Sequence, residues 1–222
     1  HFHETEEELS DAVSQALADS KVVGLFNGRA EFGPRALGAR SIIGDPRNPE
    51  MQKIMNLKIK FRESFRPFAP CVLEEDMSKY FELRAPSPYM LLVGKVKDSI
   101  RLELSEEEQK LFGIAKLSVP RSQVPAITHV DYSARVQSVD SKRNPRLHQI
   151  MTKFKAKTDC SVIINTSFNV RGEPIVLSPE DAYRCFMFTN MDVLVLENYV
   201  LYKEEQQKLE GADAHLADFE LD

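Results

Sequence analysis

Four short apolar runs bounded by polar residues constrain this chain more than any other feature: KVVGLFN at 21–27, YMLLVGKV at 89–96, CSVIINTSF at 160–168 and DVLVLENYVLY at 192–202. Each is too short for a buried helix and reads as strand, the last as a strand pair. Between them lie helix patterns. EEELSDAVSQALAD (6–19) carries Leu9, Ala12, Val13, Ala16 and Leu17 at helical spacing. A second helix is expected from Pro49 to about Lys58, and a third over PRLHQIMTKFKAKT (145–158). SPEDAYRCFMFTN (178–190) predicts a helix capped by Ser178, with Pro179 in its first turn and Asp181 closing a capping box. FRPFAPCVL (65–73) holds two prolines and reads as an edge or irregular strand, and AITHV and ARVQSVD (126–140) as two strands joined at Asp131-Tyr132. Residues 98–123 read as a polar excursion with one exposed helix over 105–112. Strands and helices alternate irregularly, so the fold class is α/β (α+β), built on one mixed sheet.

Charge and cysteine usage exclude several function classes. The net charge of -5 leaves no global basic field for nucleic acid, so any anion site must be local. No run approaches the ~18 apolar residues of a membrane span, and no secretory signal pattern is present. Cys71, Cys160 and Cys185 are odd in number and far apart. They argue against a disulfide framework and for a reducing, cytoplasmic location. The chain opens on His1 rather than Met, so it is expected to be a piece of a longer protein.

Three polar clusters interrupt this frame. NGRAEFGPRALGARS (27–41) combines Arg29, Arg35, Arg40 and Ser41 with Gly28, Gly33 and Gly38, which permit close backbone approach. KIKFRESFRPFAP (58–70) brings Lys58, Lys60, Arg62 and Arg66, which share one face if the stretch is extended. NTSFNVRGEP (165–174) supplies Asn165, Thr166, Ser167, Asn169 and Arg171 at the carboxyl end of a strand, where α/β ligands commonly bind. Arginine forks grip phosphate, lysine adds point charge, and Asn, Ser and Thr orient. Together the clusters describe a pocket for a polyanion such as a nucleoside triphosphate, without a GxxxxGK[ST] or GxGxxG loop. Each cluster alone also reads as a solvated face or a capped turn.

GRAEFGPRALGARSI, NLKIKFRESFRPFAP, SPYMLL, AITHVDYSARVQSV, NPRLHQIMTKF and INTSFNVRGEPIVLSPEDAYRCF, in this order over residues 6–202, resemble the C-terminal domain of the O-carbamoyltransferases of nodulation factors and antibiotics. The resemblance implies a YrdC-like twisted mixed sheet flanked by helices over 1–202, a charged tail over 203–222, and an N-terminal ASKHA-like, iron-binding transferase domain absent from this chain. It implies that ATP with Mg2+ and carbamoyl phosphate combine here into carbamoyl-adenylate. That group would pass to an acceptor hydroxyl in the N-terminal domain, the partner within the same polypeptide. By family match, Arg35, Lys60 and Arg66 contact phosphate and carbamoyl phosphate, seconded by Arg40, Arg62 and Ser41. Asn165, Ser167 and Asn169 would orient the nucleotide or the carbamoyl group, Arg171 would reach a phosphate, and Glu31 and Glu63 would orient arginines. Two other readings stand beside this one: a non-catalytic nucleotide-binding module, and a YrdC-like RNA-binding or tRNA-modification domain, which the net charge argues against.

Overall fold

The computed structural model describes residues 1–207. Thr5 caps α1 (Glu6–Ala18): its hydroxyl accepts the Glu8 N–H at 3.2 Å and the Glu8 carboxylate accepts the Thr5 N–H in return. β1 (Val23–Phe26) and β2 (Arg40–Gly44) flank the arginine- and glycine-rich loop. β2 has no counterpart among the runs expected from sequence. α2 (Met51–Lys58) starts after Pro49 rather than on it. β3 (Ala69–Leu73), α3 (Met77–Tyr80), β4 (Phe81–Glu82) and β5 (Leu92–Val96) follow. Within the 98–123 excursion the expected helix shrinks to one turn, α4 (Glu106–Gln109), and an isolated bridge between Arg101 and Ser122 closes the excursion at its base. Then come β6 (Ser133–Val139), α5 (Pro145–Thr158), β7 (Val162–Ser167), α6 (Pro179–Met187), β8 (Val193–Leu196) and β9 (Tyr199–Tyr202). Ser178 and Asp181 form the predicted capping box of α6. The expected charged tail begins with a short turn at Lys203–Glu205; from 208 on it lies outside the described residues.

Among the described residues, nine strands form one mixed sheet in the order β4-β5-β6-β3-β7-β2-β1-β8-β9. β1 with β8 and β3 with β6 run parallel; the other neighbours are antiparallel. Every residue of β1, β2 and β3 is buried, so both faces of the central sheet are covered. α1 packs on α5, α5 lies against β3 and β7, and α6 lies against β1 and β8. This is the mixed sheet flanked by helices that the sequence implies. Among the described residues, no helix is long and apolar enough to cross a membrane.

Three expectations are corrected. The edge or irregular strand expected over 65–73 is a regular strand over Ala69–Leu73 only, and a central one: β3 lies between β6 and β7. Pro70 is tolerated because it is the second residue of the strand and the β6 ladder begins only at Cys71, so its missing N–H falls outside that ladder. AITHV is no strand. Pro125–Ile127 forms a 3-10 turn, and Thr128 Oγ1 donates back to Val124 O at 2.9 Å, locking the chain locally. Lys58 to Arg66 is not extended either. Lys60 N–H returns to Met55 O at 2.9 Å, and Phe61 adopts φ +47, so the four cations do not share a face.

Phe168, fully buried, ends its ring on Gly24 of β1. A Cβ at Gly24 would stand 2.7 Å from Phe168 Cζ, too close without displacing the ring. Gly24→Ala should therefore destabilise the chain by about 1–3 kcal/mol, as overpacking does. Urea denaturation checks this; an unchanged midpoint would show that Phe168 repacks freely.

Candidate functional site

The loop between β1 and β2 is built to present one residue. Glu31 Oε1 accepts the N–H groups of Leu37 at 2.6 Å and Ala39 at 2.7 Å, which folds the loop back on itself. Gly38 sits at φ +125 against Leu147, where a Cβ would approach Leu147 Cδ2 to 2.8 Å. Buried amides hold the loop from below. Asn165 Nδ2 donates to Ala36 O at 3.1 Å, and Gln137 Nε2 and Asn144 Nδ2 donate to Leu37 O at 2.8 and 3.2 Å. Arg35, between Pro34 and Ala36, is left facing the cavity below the loop. Arg40 is not there. It belongs to β2, lies 3.5 Å from the centroid of the Phe26 ring, and donates to Asn27 O, Gly28 O and Ala39 O. Its charge is spent on closing the base of the loop.

The second cluster is shaped by Asn56 of α2. Its Nδ2 donates to Ser64 O at 3.1 Å and Arg66 O at 2.8 Å, and its Oδ1 accepts Arg62 Nε at 2.7 Å. That staple turns Arg62 over the Phe68 ring and into the cavity wall. Lys60 points inward, only 4% exposed. Its ammonium donates to Ser167 O, to Asn169 O and Oδ1 at 2.9 Å each, and to Ser167 Oγ at 3.3 Å. Burial, with a contribution from Arg62, pulls its pKa down to about 7. Arg66 stays outside, its side chain 55% exposed and paired with Glu63 at 3.2 Å. Arg171 is exposed. Ser41 is buried in β2 opposite Ser167, its hydroxyl without a partner.

A cavity of about 180 Å³ opens at the carboxyl end of β7, lined by Arg35, Arg62, Arg135, Asn165, Thr166 and Ser167. Three guanidinium groups thus converge, and among the described residues none of them is in an ion pair with a carboxylate. The Nε atoms of Arg35 and Arg135 are buried without a hydrogen-bond partner. Burial and then Arg35 lower the Arg135 pKa, and burial and then Arg66 pull Arg62 down to about 10. Both directions show positive charge held against desolvation and repulsion. Such an arrangement favours an anion between them.

A groove of about 440 Å³ continues from the cavity past Arg135, walled by Phe68, Val93 and Ile127. On its rim the Asp131 carboxylate accepts Ser133 Oγ at 2.6 Å, Ser133 N–H at 2.9 Å and His129 Nδ1 at 3.0 Å. These bonds, from Ser133 first, hold its pKa at about 2.

Of the residues singled out in the sequence, Arg35, Arg62, Asn165 and Ser167 meet at the cavity, with Lys60 and Asn169 directly behind them. Arg40, Ser41, Arg66 and Arg171 do not line it. Arg135 and Gln137 were not foreseen. Their signal is a pair of long polar residues at alternate positions of the strand pattern ARVQSV, which places both on one face of β6. Among the described residues, no cluster of His, Cys, Asp and Glu side chains could hold a metal ion.

The family model described as carbamoyltransferase C-terminus matches residues 14–203. The uncharacterized protein sll1178 of Synechocystis sp. is 62% identical over 218 residues, covering 98% of this chain and 35% of that protein. The 3'-hydroxymethylcephem-O-carbamoyltransferase of Amycolatopsis lactamdurans is 37% identical, covering 75% of this chain and 28% of the enzyme. The chain therefore spans about a third of the length of the curated relatives it matches. The crystal structure of full-length HypF in its phosphate- and nucleotide-bound form shares the fold, with a TM-score of 0.54 at 20% identity over 85% of this chain and 25% of HypF.

Lys60 has a consequence for pH. Its folded pKa lies below that of an unfolded lysine, so the unfolded chain binds the extra proton, and this group adds stability as pH rises above about 7. The cavity loses a positive charge over the same range. Sulfate, which does not titrate there, should bind severalfold more weakly at pH 9 than at pH 6, with proton uptake visible as a buffer-dependent heat of binding. A flat affinity profile would show that Lys60 does not titrate in reach of the cavity.

Proposed function

This chain belongs to the carbamoyltransferase C-terminus family, and on that basis we propose that it is the part of an O-carbamoyltransferase that joins ATP and carbamoyl phosphate into carbamoyl-adenylate. The observation that carries this reading is the group of three guanidinium ions facing one cavity without a counter-ion. Water converts carbamoyl phosphate to carbamate and phosphate. A carbamate oxygen then attacks the α-phosphorus of ATP, the bond to the bridging oxygen breaks, and pyrophosphate leaves with that electron pair. No covalent nucleophile is required. The chemistry needs alignment and fixed positive charge where charge builds on phosphate oxygens.

Arg35, Arg62 and Arg135 would bind the phosphate oxygens. Lys60 would hold Ser167 and Asn169 in place, and its charge would add to the field. The adjoining groove, with apolar walls and the Asp131 carboxylate on its rim, suits a nucleoside. Mg2+ would come with the triphosphate, held mainly by its oxygens and water. Acceptor choice and transfer would belong to the N-terminal ASKHA-like, iron-binding domain of the longer protein. The three thiols, all buried and unpaired, support a cytoplasmic setting.

A second reading is a nucleotide-binding module that is inactive alone. Calorimetry with ATP and Mg2+, with and without carbamoyl phosphate, tests for binding, and ATP–pyrophosphate exchange dependent on carbamoyl phosphate tests for chemistry. Binding without exchange selects the second reading; no binding of either ligand sinks both. Arg35→Ala and Arg135→Ala should each weaken ATP binding by about 1–3 kcal/mol, the scale of a lost charged hydrogen bond, and leave the thermal midpoint unlowered.

A further inference from the structure

We infer that the 98–123 excursion clamps the rim of the groove, with Arg101 and Arg121 as positioning residues for the nucleoside part of the ligand; this rests on the reading of the groove as the nucleoside site. The rim needs support because part of it is loop. Ser133 and Arg135 are held by the ladder between β5 and β6. His129 and Asp131 precede that ladder, in a turn where Tyr132 N–H donates to His129 O at 2.9 Å and His129 N–H donates to Ser133 O at 3.2 Å. Closing the turn puts Tyr132 at φ +62, the left-handed region that a residue with a Cβ seldom occupies. Such a conformation persists where the surroundings hold it.

Here the surroundings are the two feet of the excursion. Backbone hydrogen bonds join the feet into one unit: Leu102 N–H donates to Arg121 O at 3.0 Å, and Gln123 N–H donates to Ile100 O at 2.9 Å. From the first foot Arg101 lays its guanidinium over the Tyr132 ring, 4.4 Å from the centroid. Its Nε and one terminal nitrogen donate to Val96 O at 3.1 and 2.8 Å, and Asp98 pairs with the other at 2.6 Å, so the stacked group is itself fixed. From the second foot Arg121, only 3% exposed, donates to Thr128 O at 2.8 Å and to Val119 O at 3.0 Å. Beside it Ser122 Oγ and Thr128 Oγ1 share a hydrogen bond of 2.7 Å. Thr128 immediately precedes His129, and Tyr132 immediately follows Asp131. The excursion therefore grips the turn on both sides of the two side chains that it presents to the groove, while Arg101 and Arg121 line neither the groove nor the cavity. A binding surface carried on a loop is only as well placed as the residues locked behind it.

The test is calorimetry with ATP and with inorganic tripolyphosphate, each with Mg2+, the second offering the phosphates without a nucleoside. The wild-type chain should bind ATP about tenfold more tightly than tripolyphosphate. Arg101→Met should erase most of that preference and leave tripolyphosphate binding within about twofold. Arg101→Lys, which keeps a cation over the ring, should recover part of the preference. Arg121→Met should act as Arg101→Met does. If it does not fold, Tyr132→Gly replaces it, since glycine accepts the left-handed turn and offers Arg101 no ring. Equal losses for both ligands, or an unchanged preference beside a lowered thermal midpoint, would overturn the inference, because the two arginines would then serve the fold alone. A wild-type chain that binds both ligands equally would overturn it together with the nucleoside reading of the groove, and would leave the anion cavity standing. Binding of neither ligand would overturn the cavity reading as well.

Discussion

The buried ammonium of Lys60 is the interaction on which the site depends. It gathers carbonyl, amide and hydroxyl oxygens of Ser167 and Asn169, groups 107 and 109 residues away along the chain. It thereby ties the segment after α2 to the loop after β7. Desolvation is the cost, and it shows as a pKa lowered to about 7. Were the lysine to swing into solvent, the loop would lose its anchor, and Arg62, two residues on, would lose its fixed approach to the cavity.

Around that anchor the fold separates two uses of arginine. Arg40 and Arg47 are absorbed by structure, one stacked on Phe26 and bonded to carbonyls, the other in a close pair with buried Asp45. Arg35, Arg62 and Arg135 are brought together from a loop, a post-helix turn and a strand, and are left without a counter-ion among the described residues. The buried amides of Gln137 and Asn165 hold the loop that brings Arg35 to the other two.

Much of the frame was legible in the sequence because its signals are local. The runs around Val23, Val162 and Val193 became strands, and the helices at 6–18, 145–158 and 179–187 lie where periodicity and capping put them. β2 escaped because Arg40 and Ser41 break its apolar run, though both are buried in the fold. Pro70 argued against a central strand, and only the staggered start of the β6 ladder makes it acceptable there. AITHV has a strand's composition, but Pro125 and the Thr128 hydroxyl close a turn first. In the site, local sequence identified which segments matter but not which of their cations are free. Arg35 and Arg40 look alike in the loop; one faces the cavity and the other an aromatic ring.

The sequence by itself determined the fold class, most of the element order, the family and the three polar segments that surround the cavity, because hydrophobic periodicity, caps and motifs are properties of neighbouring residues. Tertiary structure alone decided which side chains converge. Register across β6, β3, β7 and β2 sets Arg135, Gln137 and Asn165 around one loop. The turn after α2 sends Lys60 inward and Arg66 outward. Such choices depend on long-range pairing and on burial, where the energy of a charge is set by what surrounds it rather than by its neighbours along the chain.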